Sequence, residues 1–522
     1  MKTLRSYVGG RWHEASSGFA PLVNPSNEET IAQASSEGVD FGAALDWARE
    51  RGGPALRALT FAQRGNVLKE MSRALREKRD ELLDLSRLNN GTTASDGSFD
   101  IDGATGTLAY YATLGKRLGD RTFLIEGDGV QLAKTEAFWG QHVLVPRQGV
   151  AVHINAFNFP AWGFAEKVAC SLLAGVPAIT KPATATALVT ERCIEILVEA
   201  GVLPEGSLQL IVGSTGDLLD RLGPQDVLAF TGSADTAKML RSRDNLLASC
   251  TRVNIEADSL NAAVLGPDVA AGSETEALFL KDVVREIRQK TGQKCTAVRR
   301  ILVPKDRIDQ VQEALIADLQ RIVPGDPADP SVTMGPVASA GQLRDTLKGI
   351  AELEKSARLV HGSRERIDGA GAPAGKGFFV APTLLRADDA RAAAPIHNRE
   401  VFASVATLLP YDASAGDAAA IVGLGGGTLV TSVYSDDAAW LGEFLAGAGT
   451  VTGRIYVGSQ ASAAEAPGSG AALPQTLHGG PGRAGGGEEL GGLVGVRLYM
   501  QRVAIQGSRG LVDQVVGATP AG

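Results

Sequence analysis

Short apolar runs alternate with longer helical stretches through the middle of the chain, from Gly149 onward. Runs of four to six apolar residues separated by helices indicate a parallel sheet that is covered on both faces. Ligands of such sheets bind beyond the carboxyl ends of the strands, so the residues that follow each run are candidates for function. The predicted strands are 149–154, 176–180, 208–212, 226–230, 251–255 and 261–265.

A second alternating region follows, and the two flanking regions are less regular. The pattern predicts helices at 161–175 and about 274–290, and a strand at 299–303. Further helices are predicted from the strand at 176–180 to about residue 200, and from the strand at 299–303 to about residue 322. The remaining predictions are Gly-rich loops at 363–377 and 460–495, one long N-terminal helical stretch at about 60–90, and a polar loop at about 91–103.

Composition narrows the class of protein. The 522 residues carry a net charge of −8, which does not favour nucleic-acid binding. We find no run of 18 apolar residues and no apolar leader, so we expect neither a membrane span nor secretion. Four cysteines without a CxxC pair favour a reducing cytoplasm over a disulfide framework, and six scattered histidines give no support for a metal site.

Two segments that follow predicted strands contain candidate polar ligands. Asn158 lies in INAFNFP, where its amide can donate to a developing oxyanion or can form an ordinary turn. Lys181 lies in ITKPAT, where it can hold a hydroxyl or phosphate or can be a solvated turn residue. The residues alone leave both alternatives open.

Three further segments contain candidates for anion binding and catalysis. Ser233 in FTGS can receive a diphosphate at a helix start or can be a simple N-cap. Glu256 follows an apolar run, where burial would raise its pKa towards that of a general base, or it is a salt-bridged edge residue. Cys295 in TGQKCTA adjoins Lys294, a setting for an activated thiolate or for a buried structural thiol.

Together with GFFVAPT (377–383), REVFASV (399–405) and EELGG (488–492), these five segments, in this order, resemble the aldehyde dehydrogenase family. The resemblance covers nearly the whole chain. It implies an α/β fold with a Rossmann-like cofactor domain, an α/β catalytic domain and a small β oligomerisation element. The implied divisions are 1–128 with 148–257, then 258–490, and finally 129–147 with 491–522.

The resemblance also implies roles for five residues in catalysis. Cys295 is the expected nucleophile, and the Asn158 side chain and the Cys295 backbone N–H are the expected oxyanion donors. Glu256 is expected to activate water for hydrolysis of a cysteine thioester. Lys167 and Glu489 match positions of a proton-relay path.

The cofactor positions implied by the resemblance are Ile154, Phe157, Lys181, Ala183, Thr184, Gly213, Thr231, Gly232, Ser233, Thr236, Glu400 and Phe402. Lys181 matches an adenosine-ribose ligand, and Glu400 and Phe402 match nicotinamide-ribose contacts. Thr184 departs from relatives that prefer NAD, which often have an acid there to bind the ribose diol and repel a 2′-phosphate. We therefore expect NADP to be preferred over NAD.

The segments NIEADSLNAAVLGPD, TGQKCTAVRR and HGGPGRAGGGEELGG are similar to one subgroup of the family. Its members oxidise CoA-linked semialdehydes in bacterial phenylacetate and benzoate degradation, and the phenylacetate member carries an extra hydratase domain. Because this chain ends at Gly522, we expect the free-standing benzoate-pathway type, a CoA-linked aldehyde as substrate, and a homodimer.

Three alternatives remain at this stage. A CoA-acylating dehydrogenase would resolve the thioester with CoA, but such relatives generally lack the base that Glu256 provides. A broad aliphatic aldehyde dehydrogenase would accept simple aldehydes equally well. A catalytically silent binding relative would be expected to have lost Cys295 or Glu256, and both are present.

Overall fold

The structure is a computed structural model that describes residues 1–517. The last five residues of the predicted oligomerisation element, 518–522, lie outside the described residues. The strands are β1 (Lys2–Thr3), β2 (Ser6–Val8), β3 (Arg11–His13), β4 (Ala20–Val23), β5 (Thr30–Ala34), β6 (Leu124–Gln131), β7 (Trp139–Pro146), β8 (Ala151–Ile154), β9 (Ala178–Lys181), β10 (Leu208–Leu210), β11 (Val227–Thr231), β12 (Arg252–Glu256), β13 (Ala262–Leu265), β14 (Arg300–Pro304), β15 (Arg358–His361), β16 (Thr383–Arg386), β17 (Val405–Tyr411), β18 (Thr428–Tyr434), β19 (Thr452–Gly458), β20 (Leu477–Gly479), β21 (Glu488–Leu490) and β22 (Met500–Gly507).

The α-helices are α1 (Phe41–Trp47), α2 (Gly53–Arg57), α3 (Phe61–Glu77), α4 (Arg79–Asn90), α5 (Ala94–Leu118), α6 (Trp162–Ala174), α7 (Ala187–Glu199), α8 (Ala234–Arg241), α9 (Asp244–Ala248), α10 (Glu274–Arg288), α11 (Ile308–Leu319), α12 (Ala340–Leu353), α13 (Ala394–Asn398), α14 (Ala415–Gly423), α15 (Ala438–Ala448), α16 (Leu493–Arg497) and α17 (Arg509–Val516). In residues 1–517, no helix combines the length and apolar character that a membrane crossing requires.

The first large sheet has the strand order β12-β11-β8-β9-β10-β2-β3. Strands β8 to β12 are mutually parallel, as the apolar runs predict, and β2 and β3 extend the sheet in antiparallel fashion. The chain progresses from β8 to β10 in one direction and from β11 to β12 in the other. The strand order therefore reverses between β8 and β11, which is where ligands of doubly wound sheets bind.

The second large sheet has the order β15-β16-β17-β14-β13-β18-β19, and only β15 is antiparallel to its neighbour. The interior strand β13 shows why the sequence forms a core on each face of the sheet. Ala262 and Val264 of β13 pack into one buried cluster, whereas Ala263 and Leu265 pack into another on the opposite face. Alternate residues of a strand point to opposite faces, so a continuous apolar run serves a sheet covered on both sides. The α/β architecture that the apolar runs predict is confirmed.

The predicted polar loop at 91–103 is wrong, because α5 begins at Ala94. Thr93 caps this helix by accepting a hydrogen bond from the backbone N–H of Asp96. The polar residues on α5 are used in packing: Asp100 is fully buried and accepts hydrogen bonds from the backbone N–H groups of Ala161 and Trp162, at the start of α6. An aspartate that caps a second helix makes its own segment look like a polar loop in the sequence.

A separate antiparallel sheet of three strands, β22-β7-β6, stands apart from the two large sheets. Most residues of β22 are exposed, including the apolar Val503. Val130 of β6 and Leu511 and Val515 of α17 are also exposed, so this part of the surface carries several uncovered apolar side chains. The sheet includes residues 124–128, which the sequence assigns to the cofactor domain, and the domain division stays a prediction.

Candidate active site

The cofactor residues predicted from the sequence come together at the carboxyl edge of the first sheet. Ile154, Lys181 and Thr231 are the last residues of β8, β9 and β11. The other predicted residues from this unit follow these strands directly or follow β10: Phe157, Ala183, Thr184, Gly213, Gly232, Ser233 and Thr236. Glu400 and Phe402 come from the loop before β17, and the Phe402 ring packs edge-on against the Phe157 ring at 5.8 Å.

Two polar groups at this edge are left without protein partners, as expected of residues that hold a ligand. The Thr231 hydroxyl is buried and makes no hydrogen bond within residues 1–517. Lys181 forms no ion pair there, and burial lowers its pKa. A buried hydroxyl without a partner is costly unless a ligand satisfies it, and a partly buried ammonium without an ion pair can bind a polar ligand. Both residues therefore fit a cofactor with hydroxyl and phosphate groups.

Thr184 lies beside Gly213, after β9 and β10. The Thr184 hydroxyl donates a hydrogen bond to the Gly213 carbonyl over 3.2 Å. Gly213 has φ of +101°, and a Cβ there would lie 2.6 Å from the backbone nitrogen of Ser36. Glycine is therefore required at this position both by backbone conformation and by the close approach of another segment.

Ser233 caps α8, so the structure contains the N-cap that the sequence allowed as the alternative to diphosphate binding. The Ser233 side chain accepts a hydrogen bond from the backbone N–H of Thr236 over 3.3 Å. The Ala234 N–H, in the first turn, donates to the carboxylate of Asp258 over 2.9 Å. Just before the helix, the Gly232 N–H donates to the Glu256 carbonyl over 3.1 Å, which ties the start of α8 to the end of β12.

Cys295 lies in a turn that is held in an unusual backbone conformation. Lys290, Thr291 and Gly292 all have positive φ, and a Cβ at Gly292 would overlap the carbonyl oxygen of Ala403. The Thr291 hydroxyl anchors the turn by donating to the Gly335 carbonyl over 2.8 Å. Consecutive left-handed residues are strained and persist only where the surroundings fix them, which is a common property of functional sites.

The proposed activation of Cys295 by Lys294 is wrong. The Lys294 ammonium is fully buried and pairs with Glu286 over 2.8 Å and with the Gln289 side chain over 2.7 Å, away from the thiol. Burial, followed by the charge of Glu256, raises the pKa of Cys295 well above its ordinary value. Sequence neighbours in a turn point in different directions, so adjacency in the chain does not place the lysine near the sulfur.

Glu256, Cys295 and His478 form a compact cluster in which their ligand atoms lie within 4.8 Å of one another. The His478 Nε2 atom is 3.0 Å from Glu256 Oε2 and 3.7 Å from Cys295 Sγ. Glu256 and His478 are buried, whereas Cys295 is partly exposed.

The expected rise in the pKa of Glu256 is wrong in sign. Burial does act to raise this pKa, but the charge and hydrogen bond of His478, followed by the charge of Lys167, outweigh it. The pKa of Glu256 is lowered to about 2. A nearby positive charge favours a carboxylate more strongly than burial opposes it when the separation is a single hydrogen bond.

Asn158 is placed against the turn that contains Cys295. Its side-chain amide donates to the carbonyl of Gln293, two residues before the cysteine, over 3.0 Å. The Asn158 carbonyl accepts in turn from the Asn90 amide over 3.4 Å, and the neighbouring Phe157 carbonyl accepts from the Thr186 hydroxyl over 2.8 Å. These contacts fix the segment after β8 beside the thiol.

Lys167 and Glu489 are brought together behind Glu256. The Lys167 ammonium lies 3.2 Å from Glu489 and 2.7 Å from Glu166, and all three side chains are buried. Asn254 of β12 donates to the other oxygen of Glu489 over 3.2 Å. The two residues predicted as a relay therefore form one connected chain of charged groups with Glu166.

Glu400 is held from two sides at the junction of the two large units. It accepts from the Ser259 backbone N–H over 3.0 Å and lies 3.3 Å from Arg299. Burial raises the pKa of Glu400 to about 7, although Arg299 acts in the opposite direction. The Arg299 guanidinium also lies over the Phe402 ring, 5.3 Å from its centroid.

The sequence reasoning missed His478, Glu166 and Asn90. His478 lies within the segment HGGPGRAGGG, but six histidines scattered along a chain give no signal of which one faces a cysteine. Its place is set by β20, which pairs with β21 so that His478 lies opposite Glu489. The pairing of β20 with β21 could have been suspected from the spacing of the two short segments around the glycines. The contact between His478 and Cys295 could not have been found in this way.

A row of aromatic rings leads from the cluster towards the surface. His478 packs edge-on against Trp162, Trp162 against Phe159, and Phe159 against Phe99, at centroid distances of 5.5, 5.6 and 5.8 Å. Phe99 lines a cleft of about 550 Å³ between α5 and the segment 471–475. Six of the fourteen lining residues are small: Ser95, Ser98, Gly103, Gly106, Ala471 and Ala472.

Comparisons with known proteins agree with this architecture. A model of the aldehyde dehydrogenase family matches residues 12–501. A 3,4-dehydroadipyl-CoA semialdehyde dehydrogenase of Aromatoleum evansii is 46% identical over 478 residues, which is 92% of this chain and 93% of the relative.

Solved structures support the same fold at lower sequence identity. A point mutant of betaine aldehyde dehydrogenase from Staphylococcus aureus, solved with NAD+, has a TM-score of 0.83 at 23% identity and covers 97% of this chain and 96% of its own. PnpE, solved with nicotinamide adenine dinucleotide, has a TM-score of 0.83 at 24% identity, over 97% of both chains. The resemblance predicted from the sequence is confirmed, and the chain belongs to the aldehyde dehydrogenase family.

Proposed function

We propose that this protein oxidises 3,4-dehydroadipyl-CoA semialdehyde, a CoA-linked semialdehyde, to the carboxylic acid with NADP, in the aerobic degradation of benzoate. The observation that carries this proposal is the cluster of Glu256, Cys295 and His478, with Asn158 against the turn that contains Cys295, in a chain that is 46% identical to a dehydrogenase named for that substrate.

The chemistry follows from the residues in the cluster. The Cys295 thiolate attacks the aldehyde carbon, and a C–S bond forms as the carbonyl electron pair moves to oxygen. The Asn158 amide and the Cys295 backbone N–H are the donors for that oxygen, so Asn158 exchanges its contact with the Gln293 carbonyl for the oxyanion. When bound, the nicotinamide cofactor supplies the hydride acceptor.

Glu256 then serves the hydrolytic half of the reaction. It removes a proton from water, the hydroxide adds to the thioester carbon, and the C–S bond breaks to release the acid and restore the thiolate. Lys167 and Glu489 lie directly behind Glu256 and provide a charged path by which that proton leaves. A base beside the thioester also favours hydrolysis over transfer to free CoA.

The preference for NADP rests on Thr184. Its hydroxyl lies next to Gly213 at the edge where Lys181 is free to bind a ligand, and no carboxylate occupies position 184 to repel a 2′-phosphate. The absence of that repulsion, with a hydroxyl able to donate to phosphate, favours the phosphorylated cofactor.

The cleft next to Phe99 supports a bulky, CoA-linked substrate. Glycine, serine and alanine side chains leave room for the narrow pantetheine arm of CoA, and the aromatic row leads from there to His478 beside Cys295. A long extended chain suits a cleft walled by small residues, whereas a site for simple aldehydes needs no such opening.

We further propose a homodimer that forms through the three-stranded sheet and α17. The exposed Val130, Val503, Leu511 and Val515 are the side chains that a second copy would cover. Light scattering is expected to give twice the chain mass, and Val503→Asp is expected to shift the protein towards monomer. A cytoplasmic location is in keeping with four cysteines that are all free.

The experiment that tests the function is a cofactor-reduction assay with four combinations: a CoA-linked or a free semialdehyde, each with NADP or NAD. We expect the CoA-linked substrate with NADP to have the highest kcat/KM, and no requirement for free CoA. Equal efficiency on simple aldehydes would indicate a broad aliphatic enzyme, and dependence on free CoA would indicate an acylating one. No reduction with any combination would indicate a silent relative.

A further inference from the structure

His478 occupies a position in the site that the proposed chemistry has not yet used. It lies on β20, opposite Glu489 on β21, and its side chain is buried. Its Nε2 atom lies between two reacting groups, 3.7 Å from the Cys295 sulfur and 3.0 Å from a Glu256 oxygen. The edge-on contact with the Trp162 ring, at 5.5 Å, fixes the plane of the imidazole.

We propose that His478 is a catalytic residue that takes the proton from the Cys295 thiol, and that Glu256 holds the resulting imidazolium in place. This inference rests on the proposed role of Cys295 as nucleophile. In this arrangement the proton that leaves the sulfur goes to Nε2, which faces the sulfur and the Glu256 carboxylate at once, so the carboxylate stabilises the imidazolium as the sulfur attacks.

Glu256 is the other candidate acceptor for the thiol proton, and its contacts give it a different role. Its Oε2 atom lies 3.0 Å from His478 Nε2, so the carboxylate is placed to hold the imidazole ring. Histidine is the side chain most often used for proton transfer near neutral pH, and Nε2 of His478 lies 3.7 Å from the sulfur.

The charged groups around His478 also favour a positive charge at this position. Glu256 on β12, Glu489 on β21 and Glu166 on α6 are acids close to the cluster, and Glu400 acts on Cys295 from the loop before β17. The cations that face this region are Lys167 on α6, Arg454 on β19 and Arg299, which precedes β14. Acidic groups therefore outnumber basic ones around the imidazole and the thiol.

The step balances as follows. The S–H bond of Cys295 breaks, its proton moves to Nε2 of a His478 that carries its other proton on Nδ1, and the electron pair stays on sulfur. The sulfur then forms the C–S bond to the aldehyde, and the carbonyl electron pair moves to oxygen. While the imidazolium is paired with Glu256, this carboxylate is held back from water, which separates thiol activation from hydrolysis.

The test is the pH dependence of Cys295 alkylation by iodoacetamide in the full protein without substrate or cofactor. Modification of each cysteine peptide is followed by mass spectrometry in the wild type, in His478→Phe, which keeps a ring of similar shape, and in His478→Gln, which keeps a hydrogen-bonding group. Exposed Cys250 is the internal control for reagent chemistry, and buried Cys170 and Cys193 report loss of folding.

We expect wild-type Cys295 to alkylate readily at neutral pH, because the imidazole takes the thiol proton as the sulfur attacks the reagent. In both variants the rate is expected to fall about tenfold per pH unit below the thiol pKa, and to be at least about 30-fold slower at pH 7. A residue that merely packs the site would, when replaced, loosen the turn and speed alkylation. Unchanged pH profiles in the two variants, with Cys170 and Cys193 still protected, would overturn the proposal.

Because the assay contains no aldehyde and no cofactor, its outcome is independent of which substrate the enzyme oxidises. A wrong substrate assignment would leave the alkylation profiles as expected. Conversely, a failed alkylation test would leave the cofactor-reduction assay unaffected.

Discussion

The replacement Lys167→Met tests the buried charge network most sharply. The Lys167 ammonium lies between Glu166 and Glu489, and the carboxylates of Glu166, Glu256 and Glu489 lie within 4.8 Å of one another. Burial alone lowers the pKa of Lys167, but the charges of these glutamates outweigh burial and raise it above its ordinary value. Its stabilising charge is therefore fully present below about pH 10.4 in the wild type.

Methionine fills a similar volume but leaves the carboxylates without their shared cation. The folded variant can escape this repulsion by binding a proton, and burial already raises the pKa of Glu166 well above its ordinary value. At pH 7, protonating one glutamate with an ordinary pKa of 4.3 costs about 3.7 kcal/mol, and at pH 5.5 the cost is about 1.6 kcal/mol. We therefore expect Lys167→Met to lower the free energy of unfolding by these two amounts at the two pH values.

The sign of the pH dependence follows from the proton count. Above about pH 4.3 the folded variant binds more protons than the unfolded chain, so its stability relative to the wild type falls as the pH rises. With an unfolding entropy of about 2.1 cal/mol/K per residue over 522 residues, the Tm is expected to drop by about 3 °C at pH 7 and by about 1.5 °C at pH 5.5.

The assay is thermal unfolding of both proteins at one concentration and one scan rate, at pH 5.5, 7 and 8.5. The matched control is Lys69→Met on the exposed face of α3, which is expected to change stability by less than about 0.5 kcal/mol at every pH. A Lys167→Met deficit that is independent of pH, or no larger than that of the control, would refute the reasoning.

Three further predictions concern the cofactor, the turn and the cleft. Thr184→Glu is expected to lower kcat/KM for NADP by at least about tenfold and to invert the cofactor preference, whereas the neutral Thr184→Gln keeps it, as initial rates with both cofactors would reveal. Gly292→Ala is expected to reduce activity at least about tenfold and to lower the Tm, because the added methyl group overlaps the Ala403 carbonyl. The control Gly272→Ala is also at positive φ but has open space around it, so it is expected to lower the free energy of unfolding by only about 1 kcal/mol. Gly106→Leu is expected to raise KM about tenfold for the CoA-linked substrate and less than twofold for propanal, since it narrows the cleft.

The apolar pattern was sufficient for the parts of the fold that are buried on both faces. Strands β8 to β13 begin and end within about two residues of the predicted runs, because most positions in them are buried. The start of α5 could not be found in this way, since Thr93 and Asp100 are polar residues whose side chains accept from backbone N–H groups. The sequence shows that a residue is polar, but it does not show which group in the folded protein forms hydrogen bonds with it.

The sequence predicted which residues form the candidate site, but it did not predict their pKa values or ion pairs. Glu256 and Cys295 could be chosen because each follows a recognisable element, and the resemblance gave their roles. The pKa of Glu256 depends on His478, which lies on β20 and is far from Glu256 in the sequence. The charge of Lys294 is neutralised by an ion pair with Glu286 of α10. Such pairings are properties of the folded contacts, so the sequence predicted the wrong sign for Glu256 and the wrong activator for Cys295.

The most direct measurement is the intact mass of Glu256→Gln after a single turnover with NADP and the CoA-linked semialdehyde. The replacement keeps the size of the side chain but removes the base, so one equivalent of NADPH should form and the protein should gain the mass of one acyl group. Peptide mapping should place that group on Cys295, and Cys295→Ala should show neither event. Normal turnover by Glu256→Gln, or an adduct on another residue, would contradict the account.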